Sequence, residues 1–156
     1  MCQNIFDFVS LLVGKKLEYL GCEADLLEFV FEEDLVLHAA GFSRVAADDE
    51  ILITTADYQS WDGIDSTHND EWFNMAAHRE RIVGGQVVSA AVNALGDLNI
   101  ALDNGVIIEC RIANAAPHYG EEAEQWVLFE HTKDHSGRFL TAYNKQLDYY
   151  VPGQEG

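Results

Sequence analysis

The sequence predicts an α+β fold made mainly of antiparallel β meanders with two short helices, arranged as two similar helix-plus-meander units. Short apolar or alternating segments recur along the 156 residues, as strands do in a sheet with one buried face. Turn-length gaps separate them, which favours hairpins over the long crossovers of a parallel sheet. Only two segments show a helical repeat, and each runs directly into a strand.

The first unit begins with a predicted helix over residues 4–12. Ile5, Val9 and Leu12 lie near one helical face, and Gly14 can end the helix. Strands are then predicted from alternation or short apolar runs at 16–22, 26–31, 35–40 and 51–55.

The second unit begins with a predicted helix over residues 70–81. Asn69 can cap it, while Arg79 and Arg81 suit the negative end of its dipole. Strands follow at 86–92, 98–102, 106–112, 126–131 and 138–143. Asn104-Gly105 predicts a type I′ hairpin turn, which requires positive φ at both central residues.

The two halves share this pattern at nearly constant spacing. Leu12-Val13-Gly14 aligns with Ile82-Val83-Gly84, and the acidic turn Glu32-Glu33-Asp34 aligns with Asp103-Asn104-Gly105. We therefore expect one domain over residues 1–156, with the following parts: pseudo-repeat units at about 4–57 and 70–143, and a flexible tail at 151–156.

Charge limits the kinds of partner that the chain can bind. Against 27 Asp and Glu stand 9 Lys and Arg, so the formal net charge is -18 and the sequence pI is about 4.4. Nucleic acids and anionic membranes are bound through lysine and arginine, so we expect neither as a partner. A net charge of this size exceeds what solubility alone requires, so we expect it to attract a partner. Because the charge is negative, that partner should be basic.

Two segments concentrate the acidic residues. No Lys or Arg occurs from Val45 to His78, and the stretch 56–67 has no clear period and is longer than a usual connection, which indicates a functional loop. A second acidic loop spans 117–125. The residues predicted to bind a partner are Asp48, Asp49, Asp57, Tyr58, Trp61, Asp62, Asp65, Asp70, Glu121 and Glu122.

The aromatic residues divide by their setting. Trp61, with Tyr58, stands among acidic loop residues, where it is either an interface anchor or a residue that pins the loop to the core. The aromatic residues of predicted strands are expected in the core. These are Phe29, Phe31, Trp126 and Phe129.

The cysteines, histidines and carboxylates do not form a recognisable catalytic or metal-binding pattern. Cys22 and Cys110 are next to glutamates, and negative neighbours raise a thiol pKa, which disfavours a nucleophile. His131 and His135 are four residues apart, but their segment is predicted to be a turn, not a helix that would aim both at one ion. A calcium site at Asp57, Asp62 and Asp65 with Asp70 and Glu71 is a weaker alternative, because the spacing is not that of an EF-hand. We expect no enzyme activity, no metal and no cofactor.

The first residues do not resemble a leader peptide. The opening apolar run contains Asp7 and lacks a positive n-region and a small-residue cleavage pattern. No apolar run approaches the length of about 20 residues that spans a bilayer. Together with unpaired cysteines, this predicts a cytoplasmic location.

The chain resembles the small acidic immunity proteins that bacteria encode beside polymorphic or contact-dependent toxins. It is also similar to a family of uncharacterised bacterial β-rich proteins. The likeness covers about residues 12–143 and consists of structural motifs. They are Gly14, Gly84, Asp97-Leu98, Asp103-Asn104-Gly105 and the strand around Trp126, Glu124-Gln125-Trp126-Val127-Leu128-Phe129.

This resemblance implies an inhibitor that neutralises a cognate toxin domain in a heterodimer. The toxin is expected to be basic, most readily a nuclease, because the phosphate-binding groove of a nuclease can accept carboxylates. The resemblance carries no catalytic residue to this chain. The alternatives are a non-catalytic accessory module with another partner and, less favoured, a small hydrolase.

Overall fold

Two antiparallel sheets and three short helices form the part of the chain that the computed structural model describes, residues 3–60, 74–117 and 119–153. The helices are α1 (Gln3–Ser10), α2 (Thr55–Ser60) and α3 (Met75–Ile82). The strands are β1 (Leu17–Glu23), β2 (Leu26–Phe31), β3 (Leu35–Ala39), β4 (Phe42–Ala47), β5 (Glu50–Thr54), β6 (Val87–Val92), β7 (Leu98–Leu102), β8 (Val106–Arg111), β9 (Glu124–Glu130), β10 (Phe139–Tyr143) and β11 (Leu147–Tyr150).

Each sheet combines strands from both halves of the chain. The six-stranded sheet has the order β1-β2-β3-β9-β10-β11, and the five-stranded sheet has the order β5-β4-β8-β7-β6. The predicted α+β class with antiparallel meanders is confirmed. The predicted arrangement as two units is not, because neither half builds a sheet by itself.

The two halves are joined by a pair of equivalent contacts next to β1 and β6. Gly14 N donates to Val87 O at 2.8 Å, and Gly84 N donates to Leu17 O at 2.9 Å. Both glycines have positive φ, 88° and 112°, which a residue with a Cβ adopts only with strain. Each contact therefore links the end of one half's first helix to the first strand of the other half.

The inner faces of both sheets meet in one buried core. A fully buried row crosses five strands of the six-stranded sheet, from β1 to β10, and consists of Leu20, Phe29, Leu37, Leu128 and Leu140. The facing row of the five-stranded sheet consists of Ile53, Val45, Ile108 and Ile100. Trp126 ties the two sheets together, because its indole on β9 donates to Gly96 O, before β7, at 2.9 Å.

Several predicted boundaries are wrong for local physical reasons. The stretch predicted as a loop begins with helix α2. The helix predicted over 70–81 begins at Met75, where Asn74 Oδ1 accepts from Ala77 N at 3.1 Å, so Asn74 is the cap; Asn69 lies outside the described residues. Strands β4 and β11 were not predicted. In β4 the inward Ser43 interrupts the apolar pattern, and it is satisfied by Thr55.

The hairpin turns differ from the prediction in their type. In Asn104-Gly105 only the glycine has positive φ, 86°, so the turn is not type I′ although the hairpin is present. Two-residue turns with positive φ at both positions occur instead at Ala24-Asp25 and Asp48-Asp49. Aspartate tolerates this conformation better than most residues.

The predicted tail at 151–156 is described only to Gly153, and residues 154–156 lie outside the described part. Within the described ranges, no helix combines the length and the apolar character that a membrane-spanning helix needs.

Candidate functional site

Three acidic turns converge on one end of the molecule. Ala47 pairs with Val106, which places the turn at 48–49 beside the turn at 103–105. Asp48 Oδ1 lies next to Gly105. The turn Glu32–Asp34 lies at the same end because Glu32 N donates to Lys16 O, just before β1, at 3.0 Å.

The bridge between Lys16 and Gln86 is the centre of this end. Glu32 Oε1 accepts from Lys16 N at 2.6 Å, and Asp103 Oδ1 accepts from Gln86 N at 2.9 Å. We name the acidic end by its residues: Glu32, Glu33, Asp34, Asp48, Asp49, Glu50 and Asp103.

Most of the charge at the acidic end faces water. The side chains of Asp48, Glu33 and Glu50 are 86%, 81% and 63% exposed. Lys15 Nζ lies 3.0 Å from Glu33 Oε2, and Arg81 Nη1 lies 3.3 Å from Glu50 Oε2. The carboxylates of both pairs are largely exposed and solvent-screened, although Lys15 itself is mostly buried, so the pairs offset the local negative charge only partly.

The chain uses its arginines within its own structure. Arg138 makes a two-pronged pair with Glu130 at 2.8 Å on both prongs, and this pairing lowers the pKa of Glu130 below its ordinary value. Arg79 donates to Leu20 O on the edge strand β1. The other three also donate to carboxylates of the chain; they are Arg44, Arg81 and Arg111. The field that reaches a partner is therefore set mainly by carboxylates.

Asp57 has a structural partner that the sequence analysis did not assign. Its Oδ2 accepts from Thr54 N at 2.9 Å, and Asp57 N donates to Thr54 Oγ1 at 3.2 Å, which is the reciprocal cap of a helix start. Tyr58 is half-buried and packs against the core. Trp61, Asp62, Asp65 and Asp70 lie outside the described residues.

The structure separates the predicted binding residues into two groups. Asp48 and Asp49 belong to the acidic end, whereas α2 follows the opposite end of β5. Glu121 and Glu122 are exposed on the connection from β8 to β9, also at the opposite end. A strand of five residues spans about 17 Å, so one small contact cannot cover both groups.

A cleft with a volume of about 580 Å³ lies at that opposite end. Gln125 Oε1 accepts from Ala113 N at 2.7 Å, and its Nε2 donates to Asn114 Oδ1 at 2.6 Å. Glu124 is the only charged side chain among the described lining residues. Among the described lining residues, the side chain of Gln125 thus holds chain connections, and no acid-base pair is formed.

Both described cysteines have strongly raised pKa values, about 12. Burial is the main cause for Cys22, and Arg79 opposes it; for Cys110 burial is again first, with Asp97 adding to it. The expected direction is confirmed, but burial and not the neighbouring glutamates is the main cause. Such thiols are poor nucleophiles at neutral pH.

Across residues 3–60, 74–117 and 119–153, no three His, Cys, Asp or Glu side chains converge in a way that would hold a metal ion. His131 and His135 flank a turn, as predicted.

The outer face of the six-stranded sheet carries a feature that the sequence analysis missed. The strand register aligns one apolar row across all six strands: Tyr19, Val30, Val36, Phe129, Phe139 and Tyr150. Phe129 and Phe139 stack with ring centroids 5.2 Å apart and an angle of 7° between their planes. Tyr19 and Tyr150 at the two edges are 42% and 47% exposed.

Phe129 is a correction to the predicted core. It lies on the outer face and is half-buried, whereas Trp126 and Leu128 point inward and are fully buried. Alternation along β9 is the signal that would have placed it there, because residues two apart share a face of a strand.

A second row lies beside the apolar row on the same face. It consists of Gly21, Glu28, His38, Val127, Thr141 and Asp148. Glu28 Oε2 accepts from His38 Nε2 at 2.7 Å, and the His38 ring meets Phe129 edge-on at 5.0 Å. We refer to both rows together as the aromatic face.

The outer face of the five-stranded sheet is built differently. Arg44 and Arg111 both donate to Glu109. Arg111 also forms an ion pair with Asp97, with Nη1 3.5 Å from Oδ2. Burial would raise the pKa of Glu109, but the two guanidinium groups outweigh it and hold that pKa below its ordinary value. The remaining positions of this face are mostly small or aliphatic.

No protein-family model matches this chain, and no curated protein or solved structure is significantly similar to it.

Proposed function

We propose that this chain is an immunity-type inhibitor that binds a basic toxin domain in the cytoplasm and neutralises it as a heterodimer. The single observation that carries the proposal is the unequal use of charge. The arginines donate to groups of the chain itself, while carboxylates at the acidic end remain exposed to water.

A surface of this kind suits rapid capture of a cationic partner. The field of a protein with a net charge of -18 extends about one Debye length into solution and draws a basic domain toward it. Such steering raises the association rate and makes it depend on salt. Two of the three turns hold a carboxylate, that of Glu32 or Asp103, which accepts a hydrogen bond from a backbone N–H, so little order is lost when these turns are covered.

The inhibitor would act by occupation. A nuclease groove binds phosphates through lysine and arginine, and carboxylates fixed at similar positions compete for the same cations. The chain needs no catalytic group for this role.

The test is co-purification with the product of the immediately upstream gene. We expect a stoichiometric complex at low salt that weakens at high salt, and loss of that protein's toxic activity in the complex. No complex at either salt concentration would overturn the inhibitor proposal. A complex without loss of toxicity would favour the alternative of an accessory module.

A charge-matched pair of variants tests the acidic end. Asp48→Asn with Asp49→Asn removes two negative charges and keeps residues that tolerate positive φ. Glu121→Gln with Glu122→Gln removes the same charge at the opposite end. We expect the first pair to slow association about threefold or more and the second pair to have a smaller effect. Equal effects would show that net charge alone, and not the acidic end, governs association.

A further inference from the structure

The aromatic face combines rings with negative charge. Its apolar row crosses all six strands, a distance of about 24 Å at the usual strand spacing. Its second row contains the carboxylates of Glu28 and Asp148. Neither row, each of whose positions is described, contains lysine or arginine.

This combination fits one kind of side chain better than others. An arginine guanidinium is planar, stacks on aromatic rings and is hydrogen-bonded by carboxylates in the same plane. The chain contains such a contact at the edge of this face. Arg79 lies 4.8 Å from the Tyr19 ring centroid, and its Nη2 donates to Tyr19 Oη at 3.0 Å.

We propose that the aromatic face docks an arginine-bearing segment of a partner protein. The partner's guanidinium groups would lie on the stacked rings of Phe129 and Phe139 and near the carboxylates of Glu28 and Asp148. The inference rests on the proposed function for the basic character of the partner. It differs in locating the slow-dissociating contact on a sheet face and not on the acidic end.

The role of each surface in binding would then be distinct. Exposed carboxylates at the acidic end attract any cation and act mainly on the association rate. Rings that are already stacked lose little freedom when covered, so they act mainly on the dissociation rate.

Peptide titrations followed by amide NMR shifts test the docking site. The probes are hexa-arginine and hexa-lysine, which have the same charge. Hexa-arginine should bind about threefold tighter or more, because guanidinium stacks on rings better than ammonium does. Its largest shifts should fall in β3, β9 and β10. Equal affinities, or shifts confined to the acidic end, would overturn the proposal.

Matched substitutions on the two sheets give a second readout. Phe129→Leu with Phe139→Leu removes the rings and keeps apolar side chains, and we expect about a fivefold loss of hexa-arginine affinity with little change for hexa-lysine. Phe42→Leu makes the same change on the outer face of the five-stranded sheet, where Phe42 is 39% exposed, and should have no effect. If the double variant does not fold, Tyr150→Leu at the exposed edge of the aromatic face replaces it in the hexa-arginine titration. Unchanged affinity in a folded variant would overturn the proposal.

The same variants separate this inference from the proposed function. If the upstream-gene product still binds the Phe129→Leu and Phe139→Leu variant at the wild-type dissociation rate, the docking site is wrong and the inhibitor function stands. If no complex forms with the wild-type chain, the inhibitor function is wrong, and the peptide titration still decides whether the face binds arginine.

Discussion

The outer faces of the two sheets use charge in opposite ways. On the five-stranded sheet, Glu109 lies between two arginines, and the contacts continue to Asp97, so each charge meets its opposite within the chain. On the six-stranded sheet, Glu28 and Asp148 share their face with aromatic rings and with no lysine or arginine in either row, and the only partner shown there for Glu28 among the described residues is His38, at 2.7 Å.

This difference separates charges that hold the fold from charges that are left for a partner. Half-buried ion pairs that share hydrogen bonds fix the strands on which they lie. On the six-stranded sheet Glu28 already accepts from His38, whereas the exposed carboxylate of Asp148 is open to a cation from outside the chain.

The largest effect is expected at Trp126, which links the two sheets. Trp126→Ala removes a fully buried indole and its hydrogen bond to Gly96 O, and should lower the free energy of unfolding by about 3–5 kcal/mol. Both sheets share one core, so the backbone amides of both sheets should lose protection together in Trp126→Ala. Hydrogen exchange measured as a function of denaturant concentration checks this.

The outcome decides whether the two faces can be compared as parts of one unit. Trp126→Phe keeps most of the apolar volume and should cost distinctly less. Loss of protection in the six-stranded sheet alone would mean that the sheets fold separately, and the contrast between their faces would then concern two units.

A smaller effect on the free energy of unfolding is expected when one carboxylate is replaced on each sheet, Asp97 or Asp148. Asp97 Oδ1 accepts from Ile112 N at 2.8 Å, and its Oδ2 from Asn93 Nδ2 at 3.0 Å. Asp97→Asn should lower the free energy of unfolding by about 2 kcal/mol at neutral pH. Asp148→Asn, on the aromatic face, should change it by less than about 0.5 kcal/mol.

The pH dependence of stability follows from the same contacts. Burial would raise the pKa of Asp97, but the Ile112 N–H, the Asn93 amide and Arg111 together hold it below its ordinary value. A lowered folded-state pKa gives stability that is present above the unfolded value of about 3.9 and is lost as pH falls below it. The deficit of Asp97→Asn should therefore shrink in urea unfolding curves measured below that pH. A constant deficit down to acid pH would assign the effect to packing.

The fold class could be predicted because it depends on local pattern. The first three strands of each half and the hairpins between them are visible as apolar runs separated by turns. Strand β4 was missed because the inward Ser43 is polar, and only the distant Thr55 satisfies it. Helix α2 has no apolar repeat, although the spacing of Thr54 and Asp57 is a helix-start signal that could have indicated it.

The candidate surfaces were harder to predict because they depend on contacts between distant segments. Asp48 meets Gly105 only because β4 pairs with β8, and no local pattern records that pairing. The aromatic face requires the register of six strands from both ends of the chain. Alternation in β9 indicates that Phe129 points outward, but not that Phe139 stacks on it.

The smallest effect concerns the rings themselves and tests whether the aromatic face is ordered before a partner binds. Phe139 is half-buried and stacked on Phe129, so Phe139→Leu should lower the free energy of unfolding by about 1 kcal/mol. Phe42→Leu on the five-stranded sheet should cost less than about 0.5 kcal/mol, because Phe42 is more exposed. Thermal unfolding of the two variants measures the difference. Equal costs would mean that the stacked pair adds nothing beyond buried area, and the rings would then have to be ordered by the partner, which slows docking and weakens it.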